Sequence, residues 1–209
     1  MASLTESQKK KFAAINAQWG ITADEYTHYA ATTKTNLRLS SNERESDVPP
    51  RILSVKNINE LKLLAGIPGR PDFEDSHIHY PPPLGYRARR MFSDPSHEAG
   101  GLSPELLNDT KKAFKAYLYG VPEKVAEYEP LINMTFFPMQ FAVFSGDILH
   151  IPANGTLTIA GSCPVKLNYE QIIIEAGGRI VKETDTDISA QIVEGGDGDV
   201  LCTFNFSLG

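Results

Sequence analysis

The residues best suited to chemistry lie at His77-Ile78-His79. In a strand, side chains at i and i+2 share a face, so His77 and His79 would present two imidazoles to one divalent cation. Asp75, His97 or His150 would supply a third ligand, with Glu74 and Asp75 adding negative charge. A second group is Arg87, Arg89 and Arg90, set between Tyr86 and Met91-Phe92. Planar guanidinium groups suit a phosphate, an anionic sugar or the acidic surface of a neighbouring copy. Asp185/Asp187 and Asp197/Asp199 offer oxygen donors in turns, where solvated acids are the plainer expectation. The sequence contains no glycine-rich phosphate loop, nucleophile elbow or zinc-protease helix signature.

The elements that must position these groups fall into two kinds. From Gly146 to Val193 the chain nearly repeats itself with a shift of 23 residues. Ile151-Pro152-Ala153-Asn154-Gly155-Thr156-Leu157 falls on Ile174-Glu175-Ala176-Gly177-Gly178-Arg179-Ile180, Leu149 on Ile172, Asp147 on Glu170 and Val165 on Ile188. A fixed period in the low twenties predicts stacked coils of one supersecondary unit, with a β-sandwich or jelly roll as the alternative. Met134 to Ile151 has strand composition interrupted at Pro138, and Val200 to Phe206 reads as a final strand. The expected β domain is therefore 134–209, with no helix longer than one turn.

Residues 1–133 read as helices and an arm. Thr5-Glu6-Ser7-Gln8 has capping-box spacing, and Phe12, Ile15 and Trp19 follow on one face up to Gly20. Thr22 opens a short helix expected to reach Ala31. Residues 32–50 read as a loop, Ile58–Leu64 as a third helix, and Ser103-Pro104-Glu105 as the start of a fourth that Gly120 stops. Pro122–Tyr128 makes one more short helix before Pro130. Residues 67–103 form a Pro-rich arm without periodicity, whose Phe73, Tyr80, Tyr86 and Phe92 argue that it lies against another surface. The predicted class is α+β, with a boundary near residue 133.

Two resemblances bear on function. Gly146-Asp147-Ile148-Leu149-His150-Ile151-Pro152 resembles the start of the second cupin motif, and His77-Ile78-His79 resembles the paired histidines of the first. That resemblance implies a metal-dependent enzyme using His77 and His79. The sequence departs from it after His79, where Tyr80-Pro81-Pro82-Pro83 replaces the motif's glutamate, and at Asn154-Gly155, where the second motif's histidine is missing. The 23-residue coils resemble right-handed parallel β-helix proteins, many of which bind or act on polysaccharides. This implies a carbohydrate-binding module, with Tyr169, Phe204 and Phe206 as the glycan-contacting aromatics.

Charge and cysteine content narrow the partners. The chain carries 20 Lys+Arg against 26 Asp+Glu. Residues 134–209 hold three basic and nine acidic groups, which is the whole excess. That balance disfavours nucleic acid, whose phosphates need a basic footprint. No apolar run approaches the ~20 residues needed to cross a bilayer. The N-terminus lacks the apolar core of a secretory signal, so the default compartment is the cytoplasm, with an extracellular setting left open. Cys163 and Cys202 are expected as free thiols, their pairing left open. No cofactor is expected. The favoured function is a non-enzymatic structural or interaction protein that self-associates into a homo-oligomer through its β domain and its arm, at Tyr86, Arg87, Arg89, Arg90 and Phe92.

Overall fold

Thr5 starts helix α1 (Glu6–Gln18) with the expected reciprocal cap: the Gln8 amide donates to Thr5 Oγ1 at 3.3 Å, and the Thr5 amide to Gln8 Oε1 at 2.9 Å. Gly20, at φ +65°, turns the chain out of the helix. The structure is a computed structural model that describes residues 4–25, 30–31, 35–67, 77–85 and 102–195. Its class is mixed α and β, with four α-helices and two sheets among the described residues. Residues 1–54 and 140–209 form one compact unit, and residues 55–139 a second.

Apart from Val55 and Met139 at two strand ends, the first unit holds the strands β1 (Ala30–Ala31), β2 (Asn36–Ser40), β3 (Arg51–Val55), β4 (Met139–Ile151), β5 (Thr156–Ala160), β6 (Val165–Ile174), β7 (Arg179–Lys182) and β8 (Thr186–Gly195). One sheet runs β1-β4-β6-β8, with β3 also paired to β4, and the other runs β2-β5-β7. The pairs β1–β4, β4–β6, β6–β8, β2–β5 and β5–β7 are all parallel. Short turns carry the chain from the first sheet to the second. Asn154 sits at φ 58° and Gly177 at φ +74°, and a Cβ on Gly177 would collide with the Asn154 side chain.

The register explains the repeat. Leu149 pairs Ile172 and Leu157 pairs Ile180, as the 23-residue shift requires. The match of Val165 with Ile188 does not hold: Val165 pairs Thr186, and Ile188 lies beside Leu167. The path through β7 to β8 is two residues shorter than the path through β5 to β6. A slip of two leaves every inward side chain inward, whereas a slip of one would turn it out. Leu37, Leu157 and Ile180 thus form one apolar row, and Phe144, Leu167 and Ile188 another.

Within the long strands the buried face changes parity. Ala142 and Phe144 are in the core, but so are Leu149 and Ile151; in β6, Val165, Leu167 and Tyr169 are followed by Ile172 and Ile174. The regular register skips Asp147 and Glu170, where the alternation resets. Just before that point Tyr169 lies between Gly146 and Ala190, and the two small neighbours leave room for its buried ring.

Helix α1 lies across this sheet, its successive turns meeting successive strands. Gln8 Nε2 donates to the Gln191 carbonyl of β8 at 2.9 Å, and Asn168 Nδ2 of β6 donates to the Phe12 carbonyl at 3.1 Å. Asn16 Oδ1 accepts from Asn168 Nδ2 at 2.8 Å and from Ser145 Oγ of β4 at 2.7 Å. A four-residue step along a helix is about 6 Å, close to the ~4.8 Å between strands, so one turn serves one strand. Asn16 and Asn168 are fully buried. Such a contact fixes the helix's register better than apolar packing alone.

The second unit is built from α2 (Ile58–Leu64), α3 (Pro104–Tyr119), a 3-10 segment (Pro122–Tyr128) and α4 (Glu129–Phe136). Asn57 caps α2, and Ser103 with Pro104 starts α3 as the sequence predicts. Phe114 packs edge-on against Phe136, with ring centroids 5.3 Å apart.

Several expectations need correction. Residues 134–136 are helical, because Pro130 begins α4 rather than ending the preceding helix. Between 137 and 195 every regular element is a strand. Residues 36–40 form a strand inside the expected loop, and Ala30–Ala31 form a strand where a helix end was expected. Both are imposed by pairing with β5 and β4, a tertiary constraint that local composition does not carry.

Candidate functional site

The terminal strands of the first unit form the surface with the clearest capacity for binding. β6 has neighbours on both sides, and eight of its ten residues are buried. β8 is an edge, and only Ile188 of its residues is buried. β7 is the edge of the other sheet, and none of its residues is buried. Among the described residues no strand pairs with the outer edge of either. Val181 of β7 is 38% exposed and Val193 of β8 43%. An edge strand presents a row of backbone donors and acceptors, and here exposed valines accompany it.

Charge fixes these edges to the strands behind them. Lys166 is only 4% exposed at its side chain, and its ammonium lies 2.7 Å from Asp187. That commits Asp187 to an ion pair between adjacent strands. Arg38 meets Glu183 at 3.2 Å, and Arg179 Nε donates to Thr156 at 3.0 Å. His150 Nε2 is 2.8 Å from Glu175, which also accepts from the Ala153 amide at 2.8 Å. The His150 contact, and then the amide, hold the Glu175 carboxyl below the usual carboxylate range. Glu170 is shifted the other way, first by partial burial and then by Asp147.

The residues expected from sequence fare differently. His77 and His79 are exposed and lie outside any sheet, leading into Tyr80-Pro81-Pro82-Pro83. The shared strand face that would have paired them is therefore not formed. Among the described residues no group of three or more His, Cys, Asp or Glu is arranged to hold a metal ion. Tyr169 is fully buried in the core, so its ring offers no face to a sugar, and burial pushes its phenol pKa up. Sequence alternation cannot separate an inward from an outward tyrosine in a strand covered on both faces. Cys163 is a half-buried free thiol. Tyr86, Arg87, Arg89, Arg90, Phe92, Cys202, Phe204 and Phe206 lie outside the described residues.

Sequence reading also missed a polar cluster in the second unit. The Tyr117 hydroxyl donates to Glu129 at 2.9 Å and lies 3.1 Å from Asn59 Oδ1. Lys62 Nζ stands 5.6 Å from the Tyr117 ring centroid. Burial, helped by Glu129, pushes the Tyr117 phenol up to about 12, so it remains a donor near neutral pH. Burial also lowers the Lys62 ammonium pKa, against the pull of Glu123. The cluster ties α2 to α3 and α4. Its one sequence signal is Asn59 and Lys62 at i and i+3 on a single helix face.

No helix of the described residues is long and apolar enough to cross a membrane. No protein-family model, curated protein or solved structure matches this chain.

Proposed function

We propose that this chain is a structural protein that self-associates, its strands winding as coils of a right-handed parallel β-helix and its copies joining at the open edge of β7 and β8. The coil reading is supported by parallel pairing at offsets of 23 and then 21 residues, by the alternation between two sheets, and by the continuous apolar rows inside. Right-handedness follows from the rule for parallel crossovers.

The observation that carries self-association is the edge itself, two strands without an outer partner among the described residues and with exposed Val181 and Val193. Stacked repeats bury their faces against neighbours, and among the described residues no further coil covers the face that β7 and β8 present. A second copy supplies strands of matching period. The arm gives a further contact, in which Tyr86 and Phe92 adhere while Arg87, Arg89 and Arg90 orient against acidic strands.

Light scattering coupled to size-exclusion chromatography tests this. The wild-type chain is expected to be oligomeric by ~100 μM, where a contact of about −8 kcal/mol is essentially complete. Val181→Lys with Val193→Lys should shift it toward monomer, since edge lysines block strand pairing. Tyr86→Ser with Phe92→Ser should weaken assembly more than reversal of one arginine. A wild-type chain that stays monomeric at that concentration overturns the reading.

A further inference from the structure

The segment 77–85 is held against the end of α3 and the 3-10 segment by contacts that resemble those between a groove and a bound peptide. The Val121 amide donates to the Tyr80 hydroxyl at 2.9 Å, and the Leu84 amide donates to Glu127 at 2.9 Å. The Tyr128 hydroxyl donates to the Pro82 carbonyl at 2.7 Å. Lys124 Nζ lies 4.7 Å from the Tyr80 ring centroid. Leu84 is 4% exposed, whereas Pro82 and Pro83 are exposed. Gly120 permits the approach: a Cβ there would stand 2.6 Å from the Tyr80 hydroxyl and 3.1 Å from an Ile78 methyl.

The chemistry of the ligand explains these contacts. Three consecutive prolines fix φ and contribute no amide donors, so the segment is stiff and its carbonyls need donors from outside. Tyr128 supplies one. Its ring is 2% exposed, and burial, with Asp109 and Glu127 adding to it, pushes its phenol up to about 12, so it stays protonated. A stiff segment loses little entropy on docking, and one leucine anchors it, as in proline-rich peptide recognition. None of these contacts requires groove and segment to belong to one chain.

We propose that this groove is a recognition site for the Tyr-Pro-Pro-Pro-Leu segment, and that a second copy of the chain donates the segment in trans in exchange for the chain's own. A second copy is the occupant because each copy carries the segment the groove already fits. Reach also permits it between adjacent copies: the segment is tethered by residues 68–76 on one side and 86–101 on the other, which span up to about 30 Å and about 55 Å when extended, so the shorter tether sets the limit. Naming a copy as donor rests on the self-association reading, but the contact is independent of β7 and β8.

The experiment is therefore run in the full chain carrying Val181→Lys and Val193→Lys, so that a failed edge and a failed groove give different results. Leu84→Asp spoils the segment and leaves the groove; Tyr128→Phe weakens the groove and leaves the segment. Mixed, dye-labelled Leu84→Asp and Tyr128→Phe chains are expected to pair by energy transfer at least fivefold more tightly than either variant with itself. A fluorescein-labelled peptide of residues 77–85 should bind the Leu84→Asp chain, and about fivefold more weakly once Tyr128→Phe is added, the loss of one net hydrogen bond. Circular dichroism and thermal melts establish that each variant is folded, with Leu84→Ala replacing Leu84→Asp if the latter is not. Peptide binding without pairing of the mixed chains overturns exchange between copies. No binding up to ~1 mM peptide by a folded Leu84 variant overturns the groove itself.

Discussion

β6 and β8 run parallel, side by side, with matched apolar positions, yet they live in different environments. Tyr169 is fully buried at the centre of β6, while its neighbour Ala190 in β8 is half-buried, and Val193 is 43% exposed beside a fully buried Ile172. Position in the stack, more than side-chain type, decides burial. An interior strand derives its stability from neighbours on both sides. Among the described residues the terminal strand β8 has one strand neighbour, and its side chains are correspondingly less covered.

The widest gap between the two strands is expected at Tyr169. Tyr169→Ala empties a fully enclosed site and should cost about 3–5 kcal/mol in urea unfolding, the range for large aromatic truncations in cores. Tyr169→Phe should be no less stable than wild type, because the buried hydroxyl has no hydrogen-bond partner among the described residues. A clear loss with phenylalanine would mean that the hydroxyl is satisfied and the row is not purely apolar. Next comes Asn168→Ala, which removes the donor for the Phe12 carbonyl and for Asn16 Oδ1. A cost of about 2 kcal/mol is expected, with α1 amides losing exchange protection before those of β6. Protection lost equally in both would show that helix and strand open as one unit.

At the terminal strand, Val193→Ala should cost under ~1 kcal/mol, since little area returns to water. A cost as large as that of Ile172→Ala would place Val193 under cover and remove the contrast. The smallest effects are ionic. Glu175 has a depressed pKa in the folded state, so its contribution is present above about pH 4.5 and fades as pH falls through the folded value. Glu175→Gln should therefore flatten the acid limb of the stability profile. Glu170 has a raised folded pKa, so its ionisation opposes folding as pH rises past that same unfolded value. Glu170→Gln should increase stability at pH 7 relative to pH 4, and thermal melts at the two values decide the sign.

What the sequence made legible follows the same division. Turns at Asn154-Gly155 and Gly177-Gly178, with apolar positions repeating around them, were enough to place β4 to β7, since glycine and asparagine mark left-handed backbone wherever it occurs. The caps of α1 and α3 were legible because they are local hydrogen bonds, whereas α2 was read from its apolar stripe and Gly66, without its Asn57 cap. β1 and β2 were not, because their partners lie far along the chain and Leu37 and Leu39 alone do not announce a strand. The groove for residues 77–85 was hidden for a similar reason: Tyr128 and Pro82 meet only in three dimensions. Of the expected site residues, Tyr169 was placed on the wrong face, because alternation gives no sign of which face a covered strand turns inward.

The pairing of β2 with β5 has a consequence for how the protein is made. Asn36 lies beside Thr156, so β2 leaves the ribosome well before the strand it pairs with exists. At ~5–20 residues per second, synthesis of the intervening stretch takes about 6–24 s. Residues 55–139, the second compact unit, are synthesised within that interval. The nascent chain then carries Leu37 and Leu39 exposed, and translation speed along the intervening stretch sets how long a chaperone has to shield them.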